Sequence, residues 1–428
     1  MLPTFYSALT GLRSHATAIN VVGNNLANIN TTGYKRSDIN FAQIMAGEIQ
    51  GFFGAANPVQ FGLGARTTRI GPTHLQGAVR ANGINSNLAL QGEGFFQVSD
   101  GTRTAYTRAG NFSFDLNGNL VAPNGWNVQG FTEVDADGNV VRTGTPANLQ
   151  IDFEQPSPPS ATSLVRYITN LSAQAGAGET FNTTIDIWDS AGQSHRLDLE
   201  FVKSETENQW TYQFSLDEGD VIEGATGTVT FDAQGRLSTI NGLSVDDPAA
   251  ANPIIRLGNL PANADGLVPE DQQITWDLIE FGGADDGTND SHLTNFSSTS
   301  ANGTFFQDGF GSGDLNRIEF TRDGTMLGFF TNGETHPLGA VAVVNFNNLA
   351  GLKQIDANFF QETGASGEPL LLEGNGGTVV FGGALESSNV DIADEFTNLI
   401  IHQRGYQSNS KSVTTADQVL QEIINLKR

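Results

Sequence analysis

The sequence predicts a mainly β, multi-domain protein with α-helical termini, and three observations carry that expectation. Both ends are apolar heptad segments, low in charge and rich in Asn, Gln, Ser and Thr. The stretch between them alternates apolar and polar residues with period two, the pattern of half-buried strands. Fifty glycines in 428 residues supply the tight turns that many short strands need.

The first element is a helix from Thr4 to Asn28. Apolar or small residues fall at Phe5, Leu9, Leu12, Ala16, Ile19, Gly23 and Leu26, with alternating spacings that form a coiled-coil-like seam. The opposite face holds Ser7, Thr10, Ser14, Thr17, Asn20, Asn24 and Asn25, and Arg13 is the only charged side chain between Met1 and Asn30. An exposed helix keeps Lys and Glu on its wet face. Asn, Ser and Thr cost helix stability, because their side chains compete for backbone hydrogen bonds. Those groups are therefore expected to bond to protein on several sides. No basic residue precedes the apolar part and Arg13 interrupts it, so no cleaved signal peptide is expected.

The last element is a second helix, from Asn389 to Leu426. Ile392, Phe396, Leu399, Gln403, Tyr406, Ser410 and Val413 keep the same alternation, and Ala416, Leu420 and Ile423 extend it. Asp391, Asp394 and Glu395 at its start, with Lys427 and Arg428 at its end, suit the helix dipole. The two helices are expected to pair as an inner domain and to pack on neighbouring copies. Phe5, Leu9, Leu12, Ile19 and Leu26 would meet Phe396, Leu399, Tyr406, Val413 and Leu420, with Ala16, Gln403 and Ile423 in the same stripes.

Hairpin signals fill the middle. Phe112, Phe114 and Leu116 alternate before Asn117-Gly118, and Ile185 and Ile187 lead into Asp189-Ser190-Ala191-Gly192. Leu197, Leu199 and Phe201 form one strand face, and Trp210, Tyr212, Phe214 and Leu216 form another. Val229 and Phe231 precede Asp232-Ala233-Gln234-Gly235, and Ile318 and Phe320 precede Asp323-Gly324. Gly and Asn supply the positive φ that such turns require. The turns at Asp115, Asp135 and Asp232 lack the alternating oxygen ligands of a calcium loop, so they are read as turn chemistry.

A Pro/Ser stretch at 155–161 and a Gly/Asp-rich run at 282–292 mark changes of domain. The expected order is a helical arm over 1–34, an extended connector over 35–70 and the first part of an inner β-domain over 71–145. An outer β-domain is inserted over 146–291. The inner β-domain resumes over 292–365, followed by a connector over 366–385 and the helical segment 386–428. Inner and outer β-domains are thus nested between the helices.

Composition excludes several classes of function. Cysteine is absent, which removes disulfides, thiol catalysis and cysteine-ligated metals. The net charge is −26, yet residues 1–80 carry +4 and residues 81–384 carry −28. So acidic a middle argues against nucleic-acid binding and favours a solvated, self-repelling surface. No apolar run is long enough to span a membrane. The six histidines show no metal-type spacing, no phosphate-binding loop is present, and no acidic pair stands out as a catalytic dyad. No enzyme activity, cofactor or metal is expected.

Motifs at both ends and in the middle of the chain resemble one family. Ser7-Ala8-Leu9-Thr10-Gly11-Leu12, Asn24-Asn25-Leu26-Ala27-Asn28 and Thr32-Gly33-Tyr34-Lys35 resemble the opening of bacterial flagellar rod and hook proteins. Glu386-Ser387-Ser388-Asn389-Val390, then Phe396 and Gln403-Arg404-Gly405-Tyr406-Gln407, are similar to their closing helix. Asn87-Leu88-Ala89-Leu90-Gln91-Gly92-Glu93-Gly94-Phe95-Phe96 and Tyr106-Thr107-Arg108-Ala109-Gly110-Asn111-Phe112 resemble their inner β-domain. The length and the insertion are similar to the hook branch rather than to the shorter rod subunits.

The resemblance implies a homopolymer on the outside of the cell, forming a curved, flexible tube that joins motor to filament. It implies partners at the rod below, a hook cap during growth, junction proteins at the tip and the flagellar export apparatus. The alternatives are a distal rod subunit or, in a different class, an acidic extracellular β-rich enzyme or adhesin.

Overall fold

The computed structural model describes residues 2–44, 47–49, 59–135, 138–245, 247, 251–262, 266–280, 290–372 and 377–426. Helices stand at the two ends, α1 over Leu2–Ala27 and α2 over Ile392–Leu426, with β-strands making up most of the regular structure between them. Lys427, Arg428 and most of the Gly/Asp-rich run lie outside the described residues.

The chain forms two compact units. One comprises Met1–Asp152, Arg317–Phe329 and Thr335–Arg428; the other comprises Phe153–Asn316 and Phe330–Glu334. The expected change of domain at 291 is thus displaced to 316. The cause is strand pairing: Ala301–Gln307 lies antiparallel to Leu164–Asn170, and Leu293–Thr294 runs parallel beside the same strand. Sequence composition marked a change of domain there and missed the partner strand, far upstream.

In the second unit a four-strand meander runs through Thr180–Trp188, Ser194–Lys203, Gln209–Leu216 and Thr226–Phe231. Its inward faces are the alternating residues seen in the sequence: Leu197, Leu199, Phe201, Trp210, Tyr212 and Phe214 are all buried. Trp276, at the end of the strand Gln272–Trp276 in a separate sheet of this unit, meets Tyr212 and Phe214 edge-on, with ring centroids 4.9 and 5.0 Å away. Such edge-to-face pairs add to the area term of burial.

In the first unit the blocks on either side of the insertion share one sheet. Phe95–Ser99 pairs with Asn127–Phe131, Thr104–Thr107 and Val343–Asn345, and Thr104–Thr107 also pairs with Phe359–Gln361. Phe95, Tyr106, Val344, Phe346 and Phe360 fill its core. Two stretches expected as connectors are paired strands instead. Ser37–Gln43 forms an antiparallel ribbon with Ala65–Pro72, so 35–70 is not simply extended. Val379–Gly382 pairs with Leu88–Gln91 and Ala384–Glu386 with Val79–Ala81, which ties 379–386 into the β-body. Period-two patterning is weak in such short strands, and their partners are distant in sequence.

Candidate assembly site at the paired termini

The two terminal helices pack antiparallel within the first unit. A Cβ on Gly11 of α1 would lie 2.8 Å from the amide oxygen of Asn409, and His15 faces His402 nearer the start of α2. The ribbon closes one side of the pair: Ser14 Oγ donates to the Ala65 carbonyl at 3.3 Å, and Ala65 N–H donates to Thr10 Oγ1 at 3.3 Å. The polar face of α1 therefore does find protein partners.

The stripe that the single chain buries is not the heptad seam. On α1 the buried residues are Ala8, Ser14, Ala18, Val22 and Asn25, whereas Phe5, Leu9, Leu12, Ala16, Ile19 and Leu26 are each only half-buried. On α2 Glu395 is the only buried position among the described residues. Leu399 and Val413 are half-buried, and Phe396, Gln403, Tyr406, Leu420 and Ile423 are exposed. The expected meeting of apolar seams inside one chain is corrected accordingly. Small and polar residues permit the close approach, and α1 must also serve the ribbon. The apolar stripe of α2 is left largely exposed, with Phe396 51%, Leu420 41% and Ile423 48% exposed.

Below the helices the Asn-rich motif makes a joint. Asn25 Oδ1 accepts from Tyr34 Oη at 3.2 Å and from Ser37 N–H at 2.9 Å, and its Nδ2 donates to the Ser37 carbonyl at 3.0 Å. Asn24 Nδ2 donates to Tyr34 Oη at 3.3 Å, and Asn28 Nδ2 donates to the Asn24 carbonyl at 2.9 Å. Ala27, exposed, closes the helix, and Gly33 then turns the chain with φ +65. A Cβ on Gly33 would sit 2.6 Å from the Ala109 backbone nitrogen, so only glycine fits both the conformation and the space.

The next residue but one enters a buried ion cluster. Lys35 Nζ lies 2.6 Å from Glu386 Oε1 and donates to the Leu75 carbonyl at 2.8 Å. Arg108 Nη1 lies 3.3 Å from Glu386 Oε2, while its Nη2 donates to the Gly92 carbonyl at 2.6 Å. Glu386 also accepts the Gly77 N–H at 2.7 Å. All three charged side chains are essentially excluded from water. Burial pulls the Lys35 ammonium and the Arg108 guanidinium below their usual ranges, and the Glu386 carboxylate opposes that pull. Asn389 completes the joint: its Oδ1 accepts the Arg36 N–H at 2.7 Å, and its Nδ2 donates to the Thr73 and Leu75 carbonyls. Glu386, Arg108 and Asn389 belong to recognised motifs but were not anticipated as site residues. Their signal was a charge or amide inside otherwise neutral runs.

Asp115, Asp189 and Asp232 spend carboxylate oxygens on the backbone N–H groups of their own turns. The paired termini have the features of a packed joint with an exposed apolar stripe on α2, as in a subunit built for polymerisation.

Comparison with known proteins agrees with that class. Residues 5–35 match the family described as flagella basal body rod protein, and residues 382–426 match the flagellar basal body rod FlgEFG protein C-terminal family. Residues 89–162 match the flagellar hook protein FlgE/F/G D1 domain, and 167–310 the flagellar basal body protein FlaE D2 domain. The chain belongs to the flagellar hook protein FlgE family. It is 33% identical to the hook protein of Borreliella burgdorferi and 31% identical to that of Treponema pallidum, each over the whole of both chains. It is 30% identical to the Escherichia coli hook protein over 99% of this chain and all of that one. A crystal structure of Helicobacter pylori flagellar hook protein FlgE2 covers 72% of this chain at 15% identity, with a TM-score of 0.47.

Proposed function

We propose that this chain is a structural subunit that self-assembles through its terminal helices into the curved, flexible tube of the flagellar hook. In that tube it would act as a universal joint carrying motor torque to the filament. The observation that carries this reading is the exposed apolar stripe of α2 beside the half-buried one of α1, in helices already closed against each other by small and polar residues. Burying each large side chain in the polymer contributes about 1.5–3 kcal/mol. Phe5, Leu9, Leu12, Ala16, Ile19 and Leu26 on one helix would contribute to the intersubunit seam. Phe396, Leu399, Gln403, Tyr406, Val413, Leu420 and Ile423 on the other would complete it. The Lys35–Glu386–Arg108 cluster would transmit load from the helices to the β-body of the same unit. Outer β-surfaces, acidic and glycine-rich, would touch neighbours through polar loops that slide as the tube bends.

In the cell the polymer would sit outside the envelope, growing from the rod beneath a cap protein, meeting junction proteins at its tip and receiving subunits from the export apparatus. The role is structural and calls for no catalytic step. Electron microscopy of the full chain under polymerising conditions, beside Leu9→Asp, tests the reading. Curved tubes from the parent and none from the variant are expected. Normal tubes from Leu9→Asp would remove the seam, and straight tubes from the parent would favour a distal rod subunit.

A further inference from the structure

The Pro/Ser stretch at 155–161 is one strand of a narrow stem in the second unit. The run 309–314, with glycine at every second position, lies antiparallel beside it, Ser157 opposite Gly313 and Ser160 opposite Phe310. Pro156, Pro158 and Pro159 have no N–H to give. Among the described residues, three backbone bonds therefore close the stem. Ser157 N–H donates to the Gly313 carbonyl at 2.8 Å, Ser160 N–H to the Phe310 carbonyl at 2.9 Å, and Phe310 N–H to the Ser160 carbonyl at 3.0 Å. The glycine strand is also held from its far side. Thr331 N–H donates to the Asp314 carbonyl at 2.9 Å, and Asn332 Nδ2 to the Gly311 carbonyl at 3.0 Å. Opening the stem thus means peeling the proline strand away.

One residue further in, the bonding changes. Thr162 N–H donates to the Trp188 carbonyl at 2.9 Å, and Thr162 Oγ1 accepts the Trp188 N–H at 2.9 Å. Gln272 Nε2 donates to the Thr162 carbonyl at 2.5 Å. Across the stem, the Asp308 carboxylate accepts the N–H groups of Ser163 and Leu164, at 2.8 and 2.9 Å, and the Ser163 hydroxyl at 2.5 Å. Behind this knot, Leu164–Asn170 lies between Ala301–Gln307 and the strands Gln272–Trp276 and Leu293–Thr294, and it buries Val165 and Tyr167.

Two strands pulled apart from one end load their hydrogen bonds one at a time, and each such bond contributes little by itself. A segment with few bonds and no core opens locally, well short of global unfolding. We infer that 155–161 and 309–314 form a peel hinge, which opens reversibly under tension as far as the Thr162–Asp308 knot and stops there while the second unit stays folded. The hinge gives the chain slack under load and leaves the core intact. It belongs to the second unit alone and depends neither on the terminal helices nor on assembly.

The sequence has no cysteine, so pulling handles can be attached uniquely at Gln155→Cys and Asp314→Cys, both exposed at the mouth of the stem. The measurement is optical-trap extension of the full-length chain carrying these handles. A first, reversible step should precede rupture of the unit, at lower force. Its length should not exceed about 45 Å, the reach of the chain from Gln155 to Thr162 and from Asp308 to Asp314 at roughly 3.3–3.6 Å per residue. Ser157→Pro removes one rung and should lower the force of that step while keeping its length. Asp308→Ala removes the stop, so its opening should run on into rupture as a single event. One rupture with no earlier step in the parent, or an unchanged first step in either variant, overturns the hinge. A working hinge in a chain that never polymerises would count against the assembly role alone.

Discussion

The ammonium of Lys35 lies 2.6 Å from the carboxylate of Glu386, although 351 positions separate the two in sequence. That one contact ties the segment after α1 to the segment before α2. With Arg108 it also pins both to the β-body. Removing one partner from a buried ion pair leaves an uncompensated charge, which costs about 3–5 kcal/mol. Glu386→Ala strands two cations, so denaturant unfolding of the first unit should show at least that loss. A change below about 1 kcal/mol, the worth of an exposed pair, would show the cluster to be dispensable.

Asn25 makes three hydrogen bonds from a nearly solvent-free position. Asn25→Ala should destabilise the joint by about 1–3 kcal/mol, the range for unsatisfied buried polar groups. Hydrogen exchange localises the effect. The Ser37 amide should lose protection in the variant, while Leu199 in the second unit keeps its own.

Phe396 and Ala18 separate assembly from folding. Phe396 is 51% exposed and Ala18 is fully buried in the helix pair. Phe396→Asp should leave helix content unchanged and abolish polymerisation, as read by circular dichroism and sedimentation. Ala18→Asp should instead lower helix content, because it buries an unpaired charge. Equal loss of helix in both would mean that Phe396 serves the fold and not the seam.

His74 packs edge-on against Phe95 and Phe360, at 5.6 and 5.2 Å between centroids. Burial, helped by the charges of Lys35 and Arg108, pushes its imidazole down to about 4. A lowered value means that its stabilising contribution is complete above about pH 6.5 and disappears as pH falls toward the folded value. Acid titration of the first unit should therefore show a loss of stability across that window that His74→Phe removes. An NMR titration placing His74 in the ordinary imidazole range would refute the assignment.

Glu395 behaves in the opposite sense. Burial raises its carboxyl, while the Asn25 side chain and Arg36 oppose the rise. A raised value means that its contribution is largest at low pH and is lost as pH climbs through the folded value. Glu395→Gln should thus raise the thermal midpoint at neutral pH and leave it unchanged in acid; a fall at neutral pH would contradict this.

Much of the fold was legible because alternating residues do what their period requires. Trp210, Tyr212 and Phe214 all point inward, as do Leu197, Leu199 and Phe201. Leu116 breaks the same rule, standing fully exposed beside the Asn117-Gly118 turn. Both terminal helices were equally plain, but the face each turns to its partner was not. Heptad counting selects the most apolar stripe. It is blind to Gly11 and Gly405, where the absence of a side chain brings the partner helix close. The ion cluster escaped for a different reason. Lys35, Arg108 and Glu386 lie in three motifs, and no local spacing shows that they converge. The short strands of 379–386 were hidden likewise, since their pairing is entirely long-range.

The antiparallel pairing of α1 with α2 makes the subunit a circuit whose two leads are its first and last helices. Whichever lead is made first has no partner until the other exists. Lys35 waits for Glu386, and the Ala18 face waits for a helix almost four hundred residues downstream, on the order of the whole chain in separation. An unfinished chain cannot close its first unit. The seam-bearing surface is consequently a certificate of completeness, displayed only by a molecule whose every residue has arrived.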